Sequence, residues 1–167
     1  MTALPLVIRH EHAGDAEAIE RLHARAFGPG RFARTAYRLR EGTMPVAELC
    51  FTALVATYLV GSVRVGPAEA GDPLLVLGPL TVDPSFEGRG IGAALMTACL
   101  DAATAAGHGL VILIGDAPYY RRFGFAPIPS GRLVPPSPVD PARFLWRELR
   151  HGAAATVSGN VTALRRR

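Results

Sequence analysis

Between Leu74 and Ala93 the chain reads Leu-Leu-Val-Leu-Gly-Pro-Leu-Thr-Val-Asp-Pro-Ser-Phe-Glu-Gly-Arg-Gly-Ile-Gly-Ala, and no other stretch narrows the possible folds as much. The apolar run predicts a buried strand over 74–82. Pro84 opens a turn, and Gly88, Gly90 and Gly92 lead into a helix. A strand, a glycine turn and a helix start together make an anion-binding geometry. Glycines let the backbone wrap closely, and the first helical amides lack intrahelical partners and carry the positive end of the helix dipole. A phosphorylated ligand is the expectation. Inside the strand, Gly78-Pro79 removes a ladder donor and a packing side chain, which predicts a bulge or bend.

The composition supports one domain over residues 1–167: 49% hydrophobic and 19% charged residues suffice for a core and exclude disorder as an overall description. All 18 basic residues are arginine. The absence of lysine excludes Schiff-base chemistry and the phosphate-binding lysine of a P-loop. The formal charge of +4 includes the run Arg165-Arg166-Arg167. No basic and aromatic residues interleave elsewhere, so the run reads as a solvated tail and no nucleic-acid partner is expected. Cys50 and Cys99 lie in apolar runs without metal or redox spacing, and so read as buried thiols. No apolar run approaches ~18 residues and no secretory segment opens the chain, so no membrane association is expected and the location expected is the cytoplasm. The sequon at Asn160 is discounted on the same ground.

In chain order, a strand is expected over 4–9. His10 and His12 fall on opposite sides of an extended chain, with no further ligand cluster, and no metal site is expected. Asp15 caps a predicted helix through Phe27, with Ile19, Leu22 and Ala26 inward and Glu17, Glu20, Arg21 and Arg25 outward. A second helix is predicted over 31–41, two antiparallel strands over 48–65, and a loop over 67–73. After the glycine turn come a helix over 90–106 and a continuous apolar strand over 110–114, making a β-turn-α-β unit with two parallel central strands. A short helix over 119–123 follows, with Asp116 or Ala117 near its cap, then a proline-rich loop over 129–141 and a strand over 143–150. Residues 152–167 carry no clear pattern.

Val82-Asp83-Pro84 with Glu87-Gly88-Arg89-Gly90-Ile91-Gly92 resembles the acyl-CoA loop of the GNAT superfamily of N-acetyltransferases, and Tyr119-Tyr120-Arg121-Arg122-Phe123-Gly124-Phe125 resembles that family's second signature. The resemblance implies an α/β fold of α+β type: a mixed, mostly antiparallel central sheet of about six or seven strands with a splayed parallel central pair, flanked by about four helices. It implies transfer of an acetyl group from acetyl-CoA, as cosubstrate, to a primary amine by direct attack in a ternary complex, with no metal. Val82, Glu87, Gly88, Arg89, Gly90, Ile91, Gly92 and Ala93 would bind the cosubstrate. The backbone N–H groups of Leu80 and Val82 would serve the pantetheine arm and the thioester oxygen, and Tyr120 would be the general acid. The acceptor would be a small-molecule or peptide amine, and the protein a monomer or homodimer.

The pattern departs from the family at Glu87, where Gln or Arg is usual. A carboxylate there weakens attraction for pyrophosphate, which Arg89 offsets. Leu77-Gly78-Pro79-Leu80 offers no ionisable base, leaving a water chain, Asp116 or Glu148, with Asp116 also suited to capping a helix. Two other readings compete. Gly88-Arg89-Gly90-Ile91-Gly92-Ala93 also fits a dinucleotide fingerprint with Asp116 downstream, but Asp83 to Glu87 separate its first glycine from the strand. A module that binds acyl-CoA without transferring the acyl group is the other.

Overall fold

The computed structural model describes residues 5–28 and 39–164. Its strands are β1 (Leu6–His10), β2 (Phe51–Val55), β3 (Tyr58–Ala70), β4 (Asp72–Val82), β5 (Leu110–Ile114), β6 (Ala126–Pro127), β7 (Leu133–Val134), β8 (Phe144–Glu148), β9 (Gly159–Asn160) and β10 (Thr162–Ala163). The α-helices among the described residues are α1 (Ala16–Phe27), α2 (Ile91–Ala105) and the single turn α3 (Ala117–Tyr120). One eight-stranded sheet runs β1-β2-β3-β4-β5-β8-β6, with β10 added beside β3 and β7-β9 forming a small second sheet. Within the large sheet every pairing is antiparallel except β4 with β5. This is the mixed architecture expected, with the parallel pair produced by the β4-α2-β5 crossover.

The expected bulge is present. Val63 pairs with Leu80 and Val65 with Leu77, so β4 spends one more residue than β3 over the same span. Gly78 sits there with φ of 135°, a conformation that side chains rarely adopt. Beyond the bulge β4 turns away from β5. The two strands share only the pairs Leu75–Val111 and Val76–Ile112.

Two buried clusters hold the sheet. On one, α2 lays Leu95, Met96, Cys99 and Leu100 against Val63, Val65, Leu77 and Leu113. Cys99 and Ala103 are small, so the helix seats closely. The second cluster joins Leu74, Val76, Leu110, Ile112 and Phe144 to Ile128, Leu133, Ala153, Ala154, Val157 and Val161. The patternless tail therefore has a place: a 3-10 turn at Ala153–Thr156 covers the core, and β10 pairs Thr162 with Glu69 and Ala163 with Ala68. Both cysteines are buried thiols.

The expected loop at 67–73 is instead a hairpin. Ala68 and Ala70 are fully buried, which carries β3 through to Ala70, and Gly71 alone turns the chain into β4. The predicted helix over 31–41 falls mostly outside the described residues, as does the arginine run at 165–167; residues 39–42 form a turn. Among the described residues no helix is long and apolar enough to cross a membrane.

Candidate active site

The parting of β4 from β5 creates the site. The Asp83 amide donates to the Val60 carbonyl of β3 at 2.8 Å. Amide directions alternate along an extended chain, so Thr81 faces β3 as Asp83 does, and the amides of Leu80 and Val82 face the other edge, which β5 has left. A cavity of about 760 Å³ opens at this edge. Its walls include the bulge residues Leu77–Leu80, the end of β5 at Leu113 and Ile114, then Asp116, Tyr119, Tyr120 and Arg143, with Glu20, His23 and Phe27 contributed by α1.

The glycine turn lies at the end of β4. Asp83 caps the 3-10 turn Pro84–Phe86 by accepting from the Ser85 amide at 2.9 Å, and also holds Arg25 of α1 at 3.2 Å. Gly88 and Gly90 take φ of 75° and 77°, and α2 begins at Ile91 with no side chain capping it. The Ala94 amide donates to the Gly90 carbonyl at 3.0 Å, the first bond of the helical ladder, so the amides of Ile91, Gly92 and Ala93 precede the ladder and remain available to an anion. Glu87 and Arg89 are exposed, and the Arg89 guanidinium lies 5.0 Å from the Phe86 ring centre. A β-carbon on Gly92 would stand 2.7 Å from the Tyr119 hydroxyl, so glycine is what lets Tyr119 rest on the first turn of α2.

Tyr120 follows from α3. Its ring packs edge-on to Tyr119 at 5.0 Å and to Phe125 at 6.0 Å, and it lies against Gly115 so closely that a β-carbon there would overlap Cε2. Burial pushes the phenol up to about 12; Tyr119 and Asp116 add to the shift and Arg143 opposes it. The phenol therefore keeps its proton throughout the physiological range. Burial also raises the Tyr119 phenol, against the opposing charge of Arg122, which lies 4.7 Å from its ring centre.

The structure corrects several expectations about charged groups. Asp116 occupies the N-cap position of α3, yet its side chain makes no capping bond; it is exposed on the cavity wall. Glu148 pairs with Leu110, at the opposite end of β5 from Ile114, and so takes no part in the site. Glu20, expected to face outward, lines the cavity. The spacing of Glu20, His23 and Phe27 marks a second helical stripe beside Ile19, Leu22 and Ala26, a signal that sequence inspection passed over. Arg40, Glu41, Arg64 and Arg143 are further wall residues that carried no local motif. Arg64 is committed to Glu11 through bonds of 3.0 and 2.7 Å, which raise its pKa. His10 lies 4.4 Å from Phe51, ring centre to ring centre, so the His10-Glu11-His12 segment serves packing and pairing. Among the described residues no cluster of three His, Cys, Asp or Glu side chains is arranged to hold a metal.

Comparison with known proteins gives the arrangement a family. An acetyltransferase (GNAT) domain family matches residues 47–127. The N-acetyltransferase YhbS of Escherichia coli K12, itself uncharacterized, is 33% identical over 128 residues, which span 72% of this chain and 73% of that protein. YjhQ of the same organism, also an uncharacterized N-acetyltransferase, is 30% identical over 75% of this chain and 72% of its own length. The structure of YhbS in complex with CoA superposes with a TM-score of 0.83 at 28% identity, covering 98% of this chain and 92% of that one. A GNAT family acetyltransferase from Brucella melitensis, in complex with acetyl-CoA, shares the fold with a TM-score of 0.64 at 24% identity over 90% of this chain and 98% of its own. Fold and sequence are thus shared with these relatives along most of the chain, and the chain belongs to the GNAT superfamily of acetyltransferases.

Proposed function

We propose that the protein is an acetyl-CoA-dependent N-acetyltransferase acting by direct transfer to a primary amine. The observation that carries this reading is the slot between β4 and β5: the amides of Leu80 and Val82 face the edge that β5 has left, and Leu80 lines a cavity that Tyr120 also walls. The CoA bound in the related YhbS structure supports the same assignment. Residues Glu87 to Ala93 form the pyrophosphate cradle, chiefly through backbone amides, with Arg89 offsetting Glu87. The Val82 amide pairs with the pantetheine arm. The Leu80 amide polarises the thioester carbonyl and stabilises the oxyanion that forms there, a contribution of about 3 kcal/mol for one well-placed donor.

Asp116 meets the incoming ammonium and takes its proton, directly or through water. The freed amine attacks the carbonyl carbon, forming the C–N bond. When the tetrahedral intermediate collapses, the C–S bond breaks, Tyr120 donates its phenolic proton to the departing thiolate, and the second proton on the nitrogen passes through water to restore the phenol. A phenol that burial holds protonated meets this demand at any physiological pH.

Replacing Tyr120 by Phe tests the reading. Turnover, followed as free thiol, is expected to fall by roughly 10²-fold or more, while calorimetric affinity for acetyl-CoA stays nearly unchanged. Unaltered turnover overturns the acid assignment. Binding of acetyl-CoA with no thiol release from a broad panel of amines would instead indicate a non-catalytic acyl-CoA module.

A further inference from the structure

The transfer chemistry leaves the wall cation Arg143 without a task. Arg143 ends a 3-10 turn, Pro141–Arg143, whose backbone is fixed by Asp140: the Asp140 carboxylate accepts from the Ala142 amide and its carbonyl accepts from the Arg143 amide, both at 2.9 Å. The Arg143 carbonyl in turn accepts from the Gly115 amide at 2.9 Å, just past the Ile114–Phe144 pair of the β5-β8 ladder. That bond places Arg143 beside Asp116, and both line the cavity next to Tyr120, whose ionisation each influences in the opposite sense. Yet neither side chain makes a hydrogen bond or an ion pair among the described residues. Arg64 differs, being locked to Glu11. The remaining charged wall groups, Glu20, Arg40 and Glu41, come from α1 and from the turn before Pro45.

A carboxylate and a guanidinium that no described residue pairs, adjacent on one wall, select for a ligand carrying the complementary pair of charges a few bonds apart. Resting on the acetyltransferase reading above, we propose that the acceptor is a free amino acid, its ammonium received by Asp116 and its carboxylate by Arg143. A planar guanidinium matches a carboxylate with two parallel hydrogen bonds, and the pair is stronger than a neutral contact. A simple amine or polyamine brings only positive charge, and leaves Arg143 unpaired and repelling it. A peptide N-terminus presents a neutral amide where the carboxylate would lie. The carboxylate therefore sets which amines are held with the nitrogen at the thioester.

The test measures thiol release from acetyl-CoA with the standard amino acids, each beside its carboxamide and its decarboxylated amine. The wild-type protein is expected to favour at least one acid over its own amide by about 10- to 100-fold in kcat/KM, the range of a charge-assisted hydrogen bond. In Arg143→Gln the ratio of acid to amide should fall to near one, and Arg143→Lys should restore part of it. Circular dichroism melting of each variant, whose substituted side chain is exposed, establishes that the fold is retained. Amides or decarboxylated amines used as well as the acids would overturn the proposal while leaving acetyl transfer standing. A preference that survives Arg143→Gln overturns it equally. If acetyl-CoA binds and no acceptor of any class releases thiol, the transfer reading falls, and this proposal with it.

Discussion

Gly115 offers a way to disable Tyr120 without touching it. An alanine β-carbon at Gly115 would overlap Cε2 of Tyr120, stand 3.0 Å from its Cδ2 and lie 3.2 Å from Cδ1 of Leu113. Carbon atoms pack at about 3.5–4.0 Å, so the ring must retreat by roughly 0.5–1 Å or more, and Leu113 blocks relief on its side. Gly115 has no positive φ, so the backbone itself accepts alanine, and the whole effect is this collision. Overpacking of this kind costs about 1–3 kcal/mol, which corresponds to a loss of roughly 2–4 °C in Tm for each kcal/mol in a chain of this size. A general acid displaced by that distance loses its hydrogen-bond reach to the leaving sulfur, so Gly115→Ala should approach the roughly 10²-fold loss expected of Tyr120→Phe. Turnover by thiol release at saturating acetyl-CoA, with affinity measured by calorimetry, separates chemistry from binding. The double variant should be little worse in turnover than Tyr120→Phe alone, because both remove one proton donor. Wild-type turnover in a folded Gly115→Ala protein would refute the idea that Tyr120 acts from its observed position.

Two further outcomes follow from the buried and charged groups. Burial raises the Cys50 thiol to about 11, the Cys99 thiol to about 12 and the Tyr120 phenol to about 12. The folded protein therefore holds protons that an unfolded chain releases: this stability is complete below pH 9 and is lost as pH rises through 9 to 12. Urea unfolding under reducing conditions should show a loss of roughly 3–6 kcal/mol between pH 9 and 11, and an unchanged midpoint over that interval would refute it. At the glycine turn, Glu87→Gln removes a negative charge from the edge of the proposed phosphate cradle, and acetyl-CoA affinity should rise by about 2- to 5-fold at low ionic strength, with the gain shrinking as salt is added. Equal affinities in low salt would place the Glu87 carboxylate too far from the phosphates to matter.

What the sequence showed clearly was the part of the fold with strong local causes. Leu110 to Ile114 is five consecutive apolar residues between glycines, and the strand has those bounds. Gly78-Pro79 announced the bulge, and the spaced glycines announced the start of α2. Elements whose causes are distant were harder to see. Pro67-Ala68-Glu69-Ala70 has the composition of a loop, and becomes strand because the alanines are buried, β4 pairs with all four residues, and β10 returns from the end of the described chain to pair with Ala68 and Glu69. Strands as short as β7, β9 and β10 have too few residues for alternation to register. The cavity wall was the least legible part, since Glu20, Arg64, Asp116 and Arg143 come from four separate elements and no spacing along the chain links them. Asp116 follows the same logic: Asp before Ala-Pro is an ordinary capping pattern, and only the fold shows that its carboxylate makes no capping bond and stands on the cavity wall.

The two shared pairs between β4 and β5 also bear on how the protein holds together. A sheet ordinarily behaves as one plate, each strand stitched to the next along its length, but here the plate is slotted at mid-width and its halves are sewn at one end only. A pantetheine chain that hydrogen-bonds to the amide of Val82 would serve as the missing rung of the ladder. A cosubstrate held in that way would act, while bound, as a temporary strand that spans the slot between the two halves of the sheet.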